Sequence, residues 1–318
     1  MLSRTADHLF WMARYTERAE NTARMLDVNV QMGLMAVSSK VQGWEGMLAI
    51  SELVPQYQEL YGDVSPRAAL EFMVRDARNG SSIISCLQAA RENARAVRFS
   101  LTTEVWETLN TTWLEVQKLL AEGILDRDPS QFFEWVKYRS HLSRGVLIGT
   151  MLKDEAFYFA RLGTFLERAD NTARILDVKY HGIMGSRGDT VADSSEAQRD
   201  FYHWAAVLRS VSAFEIYRKV YRDVITPARV AELMMLRDDM PRSLIASLNE
   251  VCNNLAAVSN SRSKETERRA GMLRADLQYG RIDDILSTGL HAYLTTFLER
   301  VADIGNRTSR DFLVPIAA

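Results

Sequence analysis

Four side chains with chemistry to offer stand close together near the start of the chain and return in its middle. Residues 17–28 read ERAENTARMLDV and residues 167–178 read ERADNTARILDV, identical at ten of twelve positions. Glu17, Arg18, Asn21 and Arg24 thus recur as Glu167, Arg168, Asn171 and Arg174. On a helix, Ala19, Ala23 and Leu26 share a stripe with Met12 and Val30, while Glu17, Asn21 and Arg24 gather opposite, with Arg14 and Arg18 on one flank. A solvated face needs polarity but no particular polar residue, so the recurrence of Glu, Asn and Arg points to a defined and shielded partner for each. Two chemistries fit. In the first, Glu and Arg of neighbouring helices form a buried, fully hydrogen-bonded ion-pair network that fixes register. In the second, the guanidinium forks face a cavity and clamp a carboxylate or phosphate, while the Glu side chains orient them or act as acid and base. Small residues at Ala19/Ala169 and Ala23/Ala173 allow close helix approach and favour the first.

The elements that must position these groups are helices. Pro and Gly are scarce, at 6 and 16, and Ala, Leu, Met, Glu, Gln and Arg fill the long intervals between them. Trp44, Tyr57 and Tyr61 are answered by Trp204, Tyr217 and Tyr221, and Ser65-Pro66 by Thr226-Pro227, each an N-cap hydroxyl followed by Pro in the first turn. Pro129 after Asp128 marks a further helix start. A third, partial echo, Phe297-Leu298-Glu299-Arg300, stops short of the Asn-Thr-Ala-Arg continuation. The reading is an all-α, single helical-bundle body over residues 1–318, built from an internal tandem duplication. Its repeats span about 1–150 and 151–280, and a C-terminal helix at 281–318 carries the partial third Glu-Arg. Residues 182–197, rich in Gly, Ser and Asp, read as a loop inside the second repeat, and the apolar tail after Asp311 reads as a segment that docks on the body or on a partner.

Composition narrows the function classes. A net charge of −2 gives no global attraction to nucleic acid or to an anionic membrane. No signal segment or membrane span is legible, so the expected location is cytoplasmic. Cys86 and Cys252 stand alone and read as reduced thiols. His is rare and no Glu-x-x-His pair occurs, and the Asp238-Asp239 and Asp283-Asp284 pairs lack the spacing of a diphosphate-magnesium site, so neither a metal nor another cofactor is expected. No phosphate-binding glycine loop and no nucleophile elbow is present.

From Ser3-Arg4-Thr5-Ala6, through Arg14-Tyr15-x-Glu17-Arg18-Ala19-Glu20-Asn21-Thr22-Ala23-Arg24, to the terminal Phe-Leu-Glu-Arg, the chain closely resembles the alpha-E family of bacterial all-helical proteins with a Glu-Arg motif. The resemblance places that motif at Glu17-Arg18, Glu167-Arg168 and Glu299-Arg300. It implies the company of a circularly permuted ATP-grasp protein and a transglutaminase-like protease. The chain would then be an accessory or partner subunit of a peptide or amide-bond ligase. Two alternatives stay open: an autonomous enzyme with a central Glu/Arg/Asn pocket for a small amino-acid-like or phosphorylated substrate, and a purely structural scaffold. The candidate polar site or network comprises Glu17, Arg18, Asn21, Arg24, Glu167, Arg168, Asn171, Arg174, Glu299 and Arg300. Oligomeric state is not legible.

Overall fold

Long apolar-rich intervals without helix breakers produce two helices of unusual length, and everything else packs around them. The computed structural model describes residues 1–34, 40–184 and 194–313, and among these all regular structure is helical. The first long helix is α1 (Ser3–Leu34), and the second is α9 (Glu155–Met184). They cover the stretches expected from the two Glu-Arg segments.

Between them run α2 (Lys40–Ile50), α3 (Val54–Tyr61), α4 (Pro66–Val74), α5 (Ile83–Ala96), α6 (Thr103–Ala121), α7 (Ile124–Arg127) and α8 (Pro129–Thr150). After α9 come α10 (Ser194–Ser210), α11 (Phe214–Tyr221), α12 (Pro227–Leu236), α13 (Leu244–Ala257), α14 (Lys264–Gln278), α15 (Ile282–Thr288) and α16 (Leu290–Thr308). The expected 182–197 loop falls mostly on residues 185–193, which lie outside the described residues.

Local chemistry sets the starts. Ser65 and Thr226 cap α4 and α12 by accepting from Ala68 N and Arg229 N, each with Pro in the first turn. Ser82 and Ser243 cap the 14-residue helices α5 and α13 in the same way, and Asp128 caps α8. Tyr57 and Tyr217, both fully buried, accept from the backbone N–H of Ser65 and Thr226 at 3.3 and 3.1 Å, which fastens each short turn to the core.

α1 packs against α9, α5 and α8, while α9 packs against α13 and α16 as well. Because α1 is enclosed from several sides, its polar residues cannot form the solvated face that an amphipathic helix would show. Ala19, Ala23 and Leu26 are buried as the stripe predicts, yet Glu17, Glu20, Asn21 and Asp27 are buried too. Close approach of α1 to α9 depends on Gly163, where a Cβ would sit 2.2 Å from the Phe10 carbonyl oxygen. At the far end, Asp311, Phe312 and Leu313 are buried; Phe312 meets Phe159 edge to face at 5.5 Å, so this part of the tail docks on the body. Residues 314–318 lie outside the described residues.

Candidate functional site

The Glu-Arg motifs of α1 and α9 meet and exchange partners. Glu17 receives Arg168, with Nε to Oε1 at 2.9 Å and Nη2 to Oε2 at 3.0 Å. Reciprocally, Glu167 receives Arg18, with Nε to Oε1 at 2.5 Å and Nη2 to Oε2 at 3.0 Å. Both are two-pronged guanidinium–carboxylate pairs, the geometry that makes Arg a better partner than Lys. Each motif supplies the acid for the other's base, so the contact is self-complementary. Glu17 and Glu167 are 1% and 5% exposed, leaving no water-facing carboxylate at either.

Further cations complete each half differently. Around Glu167 the second donor is Arg14, at 2.8 Å. Around Glu17 they are Arg242 at 2.9 Å, from the turn before α13, and Arg144 at 3.0 Å, from α8. Arg242 also holds Glu20 and donates to Asn21 Oδ1 at 2.9 Å; Arg144 also bonds Glu20, which in turn accepts Ser140 Oγ at 2.7 Å and Arg24 Nη2 at 2.7 Å. Burial pushes the Glu17, Glu20 and Glu167 carboxyls up, but the guanidinium groups outweigh it. Arg168 and Arg242 act most on Glu17, Arg242 and Arg144 on Glu20, and Arg18 and Arg14 on Glu167, so all three end below the usual carboxylate range. Arg242, fully enclosed, is drawn down to about 10 by burial and remains a cation at neutral pH.

A cleft of about 30 Å³ lies against this network beside Glu17 and Arg144, lined also by Thr16, Ser143 and Thr164. That is room for a water-sized occupant, far below the several hundred Å³ of a typical substrate pocket. Among the described residues no group of three or more His, Cys, Asp or Glu side chains is arranged to hold a metal ion. No helix among them is long and apolar enough to cross a membrane.

A family model described as a predicted alpha-helical domain with a conserved ER motif matches residues 1–313. The chain belongs to the Alpha-E family. That description names an ER motif, and Glu17-Arg18 and Glu167-Arg168 are Glu-Arg pairs of this chain. Among curated proteins, this Alpha-E chain is similar to an uncharacterised protein of Mycobacterium bovis, 25% identical over 93% of the chain. It is similar also to uncharacterised proteins of two Mycobacterium tuberculosis strains, at 25% and 24% identity over the same share. The chain spans about a third (35%) of the length of these relatives. No solved structure matches it.

In this Alpha-E structure the ten sequence candidates separate into three places. Glu17, Arg18, Asn21, Arg24, Glu167 and Arg168 lie in the central network. Arg174 stands at a different corner, held by Asp170 at 2.7 Å and Glu52 at 2.5 Å, and Asn171 is half-buried outside the ion-pair cluster. The third Glu-Arg is remote from both: Glu299 is exposed, and Arg300 reaches Asp276 on α14 at 2.5 Å. Arg300 also lines an open surface groove of about 380 Å³ with Arg268, Arg269, Asp276 and Asp303. Its pairing has a parallel in Arg139 of α8, which reaches Glu115 of α6 at 3.6 Å.

Sequence reasoning missed Glu20, Ser140, His141, Arg144 and Arg242. Glu20 was in view as the one acidic position that differs between the motifs. The others sit far along the chain, and neither spacing nor recurrence links them to Glu17.

Proposed function

We propose that the chain is a helical partner subunit of an ATP-grasp-type peptide or amide-bond ligase, acting through its surface in the cytoplasm. The observation that carries this reading is the saturation of the buried Glu17, Glu20 and Glu167 by guanidinium groups, with a cleft of about 30 Å³ beside Glu17. A buried acid already bonded to several arginines is a poor general base, and a cleft of that size does not admit an amino-acid-like substrate. The motif then serves as a lock between α1 and α9, and function moves outward. One outward face suits a partner: along α8, Tyr138 and Leu142 are 68% and 45% exposed, followed by Gly145, Gly149 and, just past the helix end, Leu152 at 78%. These positions repeat every three to four residues and present an uncovered apolar stripe of the kind a second chain covers. That the mycobacterial relatives are nearly three times longer agrees with a unit that works beside another module.

The reading includes an origin by tandem duplication, in which α1–α8 recur as α9–α16. Its supports are the reciprocal Glu-Arg pairs, the matched Ser and Thr caps, and the buried positions Phe133, Val136 and Ser140 of α8, which Leu294, Phe297 and Val301 of α16 repeat at equal spacing. In this register Glu299-Arg300 matches Tyr138-Arg139, so the third Glu-Arg belongs to a different helix type from the first two.

Co-purification tests the partner role. The tagged chain should retain a circularly permuted ATP-grasp protein co-expressed with it from the same source, and Leu142→Asp on α8 should weaken the complex without unfolding the chain. Ligation that runs at full rate without this chain, together with no complex, would defeat the reading.

A further inference from the structure

Two corners of the fold are built alike and end in different chemistry. After α2, Glu52 takes the left-handed conformation (φ 57°), with its N–H on Ala49 O and the Leu53 N–H on Leu48 O. After α10, Ser212 does the same (φ 55°), with its N–H on Arg209 O and the Ala213 N–H on Leu208 O. Left-handed non-glycine residues are uncommon, so the two corners correspond closely. Each presents its side chain to the last arginine of the opposite Glu-Arg motif. Glu52 reaches Arg174 at 2.5 Å, and Ser212 accepts from Arg24.

The charges around these two arginines do not match. Arg174 is neutralised by two carboxylates of the chain itself, Asp170 and Glu52. Arg24 has one, Glu20, which it shares with Arg144 and Arg242. Glu167 faces Arg14 and Arg18, one against two, and at the separate corner Asp170 and Glu52 face Arg174, two against one. Glu17 and Glu20 face Arg24, Arg144, Arg168 and Arg242, two against four.

The excess cations gather at the solvent-facing edge, on His141. Arg144 Nη2 stands 2.6 Å from His141 Nδ1, and Arg24 Nη2 stands 3.2 Å from its Nε2. Guanidinium nitrogens only donate, and a neutral imidazole has one acceptor nitrogen, so one of these contacts sets donor against donor. Partial burial of the ring, with Arg144, Arg24 and Arg242 around it and only Glu20 opposing, holds the His141 pKa below its ordinary value. The rim has donors and positive charge in surplus and is short of acceptors.

We propose that the rim formed by Arg24, Arg144 and His141, at the corner made by Ser212, binds a small carboxylic acid through its carboxylate, which takes for Arg24 the part that Glu52 takes for Arg174. Carboxylate is the chemistry that the matching corner already uses, and His141 and Ser212 are exposed at the rim. The site goes beyond the partner role and does not depend on it.

Sodium succinate and sodium L-glutamate, compared with sodium chloride at equal ionic strength, are the probes for the purified chain. The carboxylates should raise the melting temperature above the chloride control and move the His141 imidazole titration, followed by NMR, to higher pH. Ser212→Glu installs the missing counterpart of Glu52. It should weaken succinate binding by about tenfold or more and abolish both responses, while Ser212→Ala keeps them. Equal responses to chloride and succinate in the unmodified chain, or a full response in Ser212→Glu, would overturn the proposal.

Discussion

Glu17, Glu20 and Glu167 carry a pH dependence whose sign is fixed by their surroundings. Each is held below its ordinary value of 4.5 in the folded chain by Arg partners that outweigh burial. A carboxyl with a depressed folded pKa contributes stability that is complete above its unfolded pKa and is lost as pH falls through the folded one. The urea midpoint should therefore hold steady down to about pH 5 and fall below about 4.5. The fall should be shallower in Glu167→Gln. A midpoint unchanged between pH 5 and 3 would contradict the pairing. At this scale the recurrence of Glu, Arg and Asn was enough to find the heart of the network, because residues repeated within one chain need a reason. Arg144 and Arg242 escaped because their guanidinium groups arrive from α8 and from the turn before α13, more than a hundred residues from Glu17 in sequence. Neither arginine belongs to the repeated Glu-Arg segments, so no recurrence points to it. Glu299-Arg300 misled for the opposite reason: two letters match, but α16 offers Arg300 to α14 at the surface instead of to a sister motif.

The α1–α9 crossing is where helix geometry and motif chemistry depend on each other. Two-pronged pairs between Glu17 and Arg168, and between Arg18 and Glu167, require the helices to lie at one register and close together. Gly163 supplies the closeness, since any Cβ there meets the Phe10 carbonyl at 2.2 Å. Gly163→Ala should destabilise the chain by roughly 1–3 kcal/mol through overpacking. Gly271→Ala on α14, where a Cβ meets open space, should stabilise it by up to about 1 kcal/mol through helix propensity. Thermal denaturation of the pair checks this, and equal stability of both variants would remove the close-crossing argument. Helix starts were readable because Ser-Pro and Thr-Pro encode a cap and a first turn locally. The enclosure of α1 was not. A stripe of Ala and Leu announces one buried side, whereas burial of the other side depends on cations delivered by distant segments, which a periodicity count registers only as polar.

For the whole molecule, the all-helical class was legible from the scarcity of Pro and Gly and the abundance of helix formers, and the proposed duplication extends the repeat to α6–α8 and α14–α16. Under that proposal aromatic and aliphatic residues substitute for one another at the core positions of α8 and α16, so the match lies in burial rhythm and not in letters. Function follows the same division between hidden and exposed parts. The interior network holds α1 against α9, and the exposed α8 face and the cationic rim around His141 are the surfaces on which the two proposals rest.

The central claim is that the Glu-Arg motif is an internal lock, and a double-mutant cycle on Glu17 and Arg168 tests it most directly. Glu17→Gln strips the acid from three arginines and Arg168→Met strips one donor from a buried acid, so each should cost about 3–5 kcal/mol in urea unfolding. The double variant should lose less than the sum, with a coupling of roughly 1–3 kcal/mol. Single variants that keep full stability, yet fail to support partner-dependent ligation, would show that the motif is a working site and would contradict the account.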